Sequence, residues 1–263
     1  MTGVSYDRWC AEIVQQSDLL RSHLDGANLT VPVPSCPGWN VGQLVRHLGG
    51  GQRWAAEIVR TRPPTPPEDT HFRDLSPYAD EDSAVVGPWL VEGAAELAGA
   101  LRDAGPVAQV WTPLGEGSTP FFARRFAHET LVHRADAALA LGVDVVVTPE
   151  VAVDALDEWM ELGSLPQMLD FHPHRRELLG PGRTLHLHAT DTPPELGAEW
   201  LVDLTGDLLA WRRAHEKAAV AVRGPLTNLL LLVYRRLPVD AAGVEVIGDA
   251  KLLDLWLERV SFG

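Results

Sequence analysis

Three residues of this 263-residue chain have the types and spacing to hold a metal ion: His47, Glu129 and His133. Glu129 and His133 stand four apart, which on a helix places them one turn along and about 40° apart. Phe122, Phe126, Ala137 and Ala140 share their sector, so this acid and this imidazole face an apolar interior. A carboxylate there is costly unless it is paired or bound to a metal. A plain buried Glu–His hydrogen bond is the simpler alternative for that helix alone. On another helix, at about 100° per residue, His47 shares a sector with Gly51, Trp54 and Ile58 and also points inward. A lone inward histidine is more often a hydrogen-bonded core residue, but Gly51, one turn away, leaves room beside the imidazole. Two inward histidines and an inward glutamate on facing bundle helices match a three-ligand zinc site with a fourth position for water or substrate.

Other candidates are weaker. His128 precedes Glu129, but the chain reads H-E-T-L-V-H rather than the zincin H-E-x-x-H, and His128 lies about 140° from His133 on the wheel. It is expected at the surface or beside the site. His186 and His188 stand two apart on an expected strand and face the same way, a spacing compatible with a metal. No third ligand stands out, and a solvent-facing pair is the expectation. His172 and His174 flank Pro173 in a connector. Cys36 has no identifiable base and is expected to pack in its loop, and Cys10 and Cys36 read as two unpaired thiols. The chain contains no G-x-G-x-x-G, P-loop or G-x-S-x-G.

The elements that must position these groups are mostly helices. Residues 5–25 carry Trp9, Ile13, Leu20 and Leu24 at helical spacing, ended by Asp25-Gly26. After the Pro-rich VPVPSCPGW, Asn40 and Gln43 form a capping-box pattern for a helix over about 41–60. Residues 61–82, rich in proline and acid, read as a long surface loop. A third helix is expected within 83–104, kinked or started by Pro88. A fourth has Thr119 as N-cap, Pro120 in its first turn and Gly142 as its stop. A fifth starts at Thr148-Pro149. Beyond Gly163 the pattern changes: TLHLHATD, EWLVDL, KAAVAVRG and VEVIGD read as strands, and PLTNLLLLVYRRL and AKLLDLWLERV as helices. This organisation is α+β, a helical bundle followed by a small α/β domain, with a boundary near 165–180.

Bulk properties narrow the partners. With 46% hydrophobic and 22% charged residues, the composition is that of a globular protein. A net charge of -14 argues against nucleic acid and against anionic membranes. No apolar run approaches the roughly 20 residues of a membrane span, and the start lacks a signal-peptide pattern. A cytoplasmic, monomeric protein is the expectation.

PSCPGWNVGQLVRHL and RRFAHETLVHRADA resemble the paired signatures of the mycothiol-dependent maleylpyruvate isomerase family. TLHLHATD, VRGPLTNLLLLVYRR and VEVIGDAKLLDLW continue the resemblance over nearly the whole chain. The resemblance implies a DinB-like metal-binding bundle over 1–165 and a sterol-carrier-like domain over 180–263 that helps close the active cleft. Its metal ligands fall on His47, Glu129 and His133, the residues already chosen by wheel geometry, with Zn²⁺ or another divalent ion as cofactor. It implies mycothiol as the low-molecular-weight thiol and a small electrophile as substrate, with cis–trans isomerisation or S-transfer as the outcome. After the apolar helix the family usually has Gly-Arg where this chain has Arg235-Arg236, and Arg236 aligns with an arginine implicated near the active site. The alternatives are a metal-dependent hydrolase and a non-catalytic thiol- or ligand-binding protein.

Overall fold

Asn40 closes a capping box: its side chain accepts from Gln43 N at 2.9 Å while Gln43 Oε1 accepts from Asn40 N at 3.0 Å. In the computed structural model, which describes residues 4–260, that box opens the second helix. Helix α1 (Tyr6–Leu24) precedes it, α2 runs Val41–Thr61, and α3 is a single turn, Thr70–Arg73. Helix α4 (Ser83–Ala104) takes Pro88 inside its second turn, past its start. Strands β1 (Gln109–Thr112) and β2 (Gly115–Ser118) form an antiparallel hairpin that the sequence reading did not anticipate. Helix α5 (Thr119–Leu141) follows, with Ser118 rather than Thr119 at the N-cap and Gly142 in the left-handed C-terminal conformation.

Helices α1 and α2 each pack against both α4 and α5, giving a four-helix bundle. Its interior is filled by residues such as Ile13, Leu44, Leu48, Ile58, Leu97 and Phe122, all essentially without solvent contact. By length and composition α4 is apolar enough to cross a membrane. Its Leu90, Ala94, Leu97 and Leu101 are instead buried in the bundle, the pattern of a core helix.

The segment 61–82 is not a surface loop throughout. It contains α3 and a short 3₁₀ turn, and its Phe72 and Leu75 are buried. Two features of α2 dock it. Trp54 Nε1 donates to Pro67 O at 3.0 Å, and Gly50 lets Phe72 approach so closely that a Cβ at 50 would lie 2.4 Å from Phe72 Cβ. Glycine is thus needed at 50 for packing. At Gly51 an added Cβ would meet Phe126 and Phe72 at ordinary contact distances.

The chain divides into two units between Val145 and Val146. Helix α6 (Pro149–Gly163), with Thr148 at its N-cap, therefore belongs with the second unit, where it packs on α8, rather than with a bundle reaching residue 165. That unit continues with α7 (Met168–Phe171), β3 (Thr184–Ala189), β4 (Glu199–Asp203), β5 (Ala210–Arg212), β6 (Val220–Gly224), α8 (Leu226–Val233), β7 (Glu245–Gly248) and α9 (Ala250–Arg259). The sheet order is β5-β4-β3-β6-β7, with β3 and β6 parallel and every other pair antiparallel. Leu185, Leu187, Val220 and Val222 are buried together with the apolar face of α8.

Candidate metal centre

One interior helix of the bundle supplies three acid–base groups in a row. Glu129, His133 and Asp136 follow at spacings of four and three on α5, and so share a face. His47, on α2, meets them from the facing helix, its ring centroid 5.3 Å from that of His133 and nearly perpendicular to it. The ligand atoms of His47, Glu129 and His133 all lie within 4.8 Å of one another.

The ring orientations matter more than the proximity. His47 Nδ1 lies 2.8 Å from Phe72 O, a carbonyl that can only accept, so Nδ1 carries the hydrogen and Nε2 keeps its lone pair. His133 Nδ1 lies 2.9 Å from Asp136 Oδ2, and its Nε2 is 3.1 Å from Glu129 Oε1. Both imidazoles thus have Nδ1 taken by an oxygen acceptor, the outer-shell arrangement that fixes tautomer and orientation in metal-binding histidines. Asp136 is fully buried and is itself held. Ser35 Oγ donates to its Oδ1 at 2.6 Å and Cys36 Sγ to its Oδ2 at 3.6 Å. The N,N,O set and its supporting oxygens fit a divalent ion.

Electrostatics agree. Burial pushes His47 below the usual imidazole value, and the neighbouring His133 charge lowers it further. Burial alone would raise Glu129, but the His133 hydrogen bond and charge, followed by Arg125 and His47, hold it well below the carboxylate range. Arg125 Nη2 stands 3.5 Å from Glu129 Oε2. His133 is the reverse case: burial opposes its charge, yet hydrogen bonds to Asp136, Cys36 and Glu129 raise it well above the ordinary value. Trp39 and Phe72 wall the His47 ring at centroid distances of 4.8 and 5.8 Å. About a third of the Glu129 side chain remains exposed, so solvent reaches the centre from that side.

Residues 10–138 match the Mycothiol maleylpyruvate isomerase N-terminal domain, and residues 150–255 match the MDMPI C-terminal domain. The chain belongs to the mycothiol maleylpyruvate isomerase family. Two solved structures share its fold, the mycothiol-dependent maleylpyruvate isomerase and a histidine-to-alanine mutant of it. They are 14% and 13% identical to this chain, each with a TM-score of 0.61 over 94% of this chain and 95% of the other. No functionally curated protein matches it. The family's α+β organisation is the one expected from sequence.

Several other residues stand differently from expectation. His128, expected at the surface or beside the site, is fully buried, so the surface alternative falls. Cys36, expected merely to pack in its loop, sits at the edge of the centre through Asp136. Asp136 and the Phe72 carbonyl were missed; only the i, i+3 spacing of His133 and Asp136 carried a signal for the first. His186 is buried, and with His188 it converges on Glu199 and His215 instead of facing solvent as an isolated pair.

Arg236 lies in the second unit, half-buried just past α8, with Nη1 donating to Tyr234 O at 2.7 Å. Arg235 N donates to Leu232 O and Arg236 N to Leu231 O, a Schellman end for the helix. Arg235 occupies its left-handed position at φ 60°, the place glycine favours. A left-handed residue there turns the chain so that the following arginine is presented in a fixed direction, which the Gly-Arg expected from the resemblance would do without strain. This chain keeps the turn with an arginine there, at a cost of about 1 kcal/mol or more.

Proposed function

We propose that this chain is a cytoplasmic, divalent-metal and mycothiol-dependent enzyme that activates a thiol for addition to a small electrophile, giving cis–trans isomerisation or S-transfer. The observation that carries the reading is that His47, Glu129 and His133 each bring a ligand atom within 4.8 Å of the others, with both Nδ1 atoms held by Phe72 O and Asp136. In this reading His47, Glu129 and His133 hold the ion, zinc suiting the N,N,O donor set. When bound, the ion would supply a Lewis-acid position that favours a thiol as its thiolate at neutral pH. The chain's own groups do the remainder. Phe72 O and Asp136 orient the two imidazoles, Arg125 offsets the charge on Glu129, and Trp39 and Phe72 keep water from the inner side. Dependence of turnover on mycothiol tests the proposal, as argued in the Discussion.

Proton uptake and release give a first check on the ligands. In the metal-free protein His133 is charged, His47 neutral and Glu129 ionised, following the directions of their shifts. Metal at His133 Nε2 must displace one proton, and the other two ligands have none to lose. Zinc titration in buffers of different ionisation enthalpy is therefore expected to release about one proton per ion, with affinity rising about tenfold per pH unit until His133 titrates. Binding with no proton released would contradict a charged His133 that gives up its Nε2 proton to the ion.

Arg236 is the proposed carboxylate-binding group for the thiol cofactor or the substrate, since the guanidinium fork suits bidentate carboxylate recognition. Arg236→Ala is expected to lower kcat/KM by about tenfold to a hundredfold, the loss of a charge-assisted hydrogen-bonded pair, while metal content stays intact. Unchanged kinetics would leave Arg236 as a helix-end cation and make Arg235 the next candidate.

A further inference from the structure

On the sheet of the second unit, three imidazole rings surround one carboxylate oxygen. Glu199 Oε2 lies 2.9 Å from His186 Nε2, 2.9 Å from His188 Nδ1 and 2.6 Å from His215 Nδ1. The three ring centroids form a near-equilateral triangle with sides of 5.5, 5.7 and 5.9 Å. Register explains the convergence. His186 and His188 alternate onto one face of β3, and Glu199 on β4 is the direct cross-strand partner of His188. On that face Glu199 is also diagonal to His186, within reach of a long side chain. His215 arrives from the segment that follows β5, the next strand over.

We propose that His186, His188, Glu199 and His215 form a second divalent-metal site, of zinc-type N,N,N,O chemistry, which anchors the segment after β5 to the sheet. Hydrogen bonding alone satisfies this arrangement poorly. A carboxylate oxygen offers about two lone pairs, and here three ring nitrogens address the same one. A cation at the centre of the triangle lets each nitrogen present its lone pair and the carboxylate its charge. The geometry needs little change. All four ligand atoms lie within 4.8 Å of one another. Tetrahedral zinc with bonds of about 2.0–2.1 Å separates its ligand atoms by about 3.3 Å, roughly half an ångström beyond the present nitrogen–oxygen spacings. Four protein ligands make a closed, structural site rather than a catalytic one.

Its position supplies the role. β5 is a three-residue edge strand; past Arg213, which Asp157 holds, the His215 side chain is 76% exposed, so it is the stretch beyond Arg213 that the ion would tie to the sheet. His186 is buried and gives the site a fixed floor.

The test uses the full chain, stripped with chelator, loaded with zinc and dialysed against metal-free buffer. His188→Ala and the exposed His215→Ala are each expected to retain one zinc per chain fewer than wild type, with unchanged circular dichroism. Zinc is expected to slow amide exchange across residues 210–218 in wild type and not in His188→Ala. Equal zinc in wild type and both folded variants would overturn the site, as would slowing of that exchange in His188→Ala. Because these residues are remote in sequence from His47, Glu129 and His133, loss of metal in a His133 variant leaves this difference readable.

Discussion

His133→Ala is expected to lose one equivalent of divalent metal per chain and to lower thiol-dependent turnover on the order of a thousandfold or more. The expected metal loss follows from position: His133 Nε2 faces Glu129 at 3.1 Å while its Nδ1 is held by the buried Asp136 at 2.9 Å. The rate loss follows from chemistry, since a Lewis-acid centre contributes several kcal/mol and each 1.36 kcal/mol is about a factor of ten. His47→Ala and Glu129→Ala are expected to behave alike. Asp136→Asn keeps the shape but not the charge behind the imidazole, and should weaken metal affinity by about tenfold to a hundredfold. Elemental analysis of the folded variants decides it. Full metal retention in all three alanine variants would place the ion elsewhere.

The sequence showed the proposed ligands more readily than the groups that hold them in place. Helical periodicity is local, so the wheel alone put His47, Glu129 and His133 on inward faces. The same is true of the Asn40–Gln43 capping box and of Thr148-Pro149, whose chemistry lies within four residues. The supports are not local. Phe72 O reaches His47 from 25 residues away, and Ser35 Oγ reaches Asp136 from 101. Proline and acid in 61–82 suggested a solvated loop, but one close approach at Gly50 buries Phe72 and turns its carbonyl toward the centre. Asp136 went unremarked, although as the i+3 neighbour of His133 on α5 it was within reach of a local argument. The strand pair His186 and His188 shows the limit most plainly. Their spacing was visible, while the ligands that complete the cluster depend on the register of β3 with β4 and on the path of the chain beyond β5.

Omission of the thiol is the second large expected effect: turnover of a suitable electrophile should fall to background without it. As the proposed ligands, His47, Glu129 and His133 would be one short of a closed tetrahedral set, leaving a position for an added group. Neither cysteine belongs to the group of His47, Glu129 and His133. Cys10 is buried, with burial raising its thiol to about 11. Cys36 Sγ is directed at Asp136 Oδ2, behind the His133 ring. An external thiol is then the simplest nucleophile. Activity should persist below neutral pH, where free thiols with pKa about 8.5 are largely protonated. It should fall at lower pH, as protons displace the ion from His133 and His47.

Turnover of maleylpyruvate by the metal-loaded full chain, measured with and without mycothiol, tests the central claim most directly. The predicted result is isomerisation that requires mycothiol and disappears in His133→Ala. Equal turnover without any thiol would contradict it and favour metal-assisted hydrolysis or another water-based reaction. Tight mycothiol binding without turnover of maleylpyruvate or of any activated electrophile would contradict it in the other direction, leaving a thiol-binding protein.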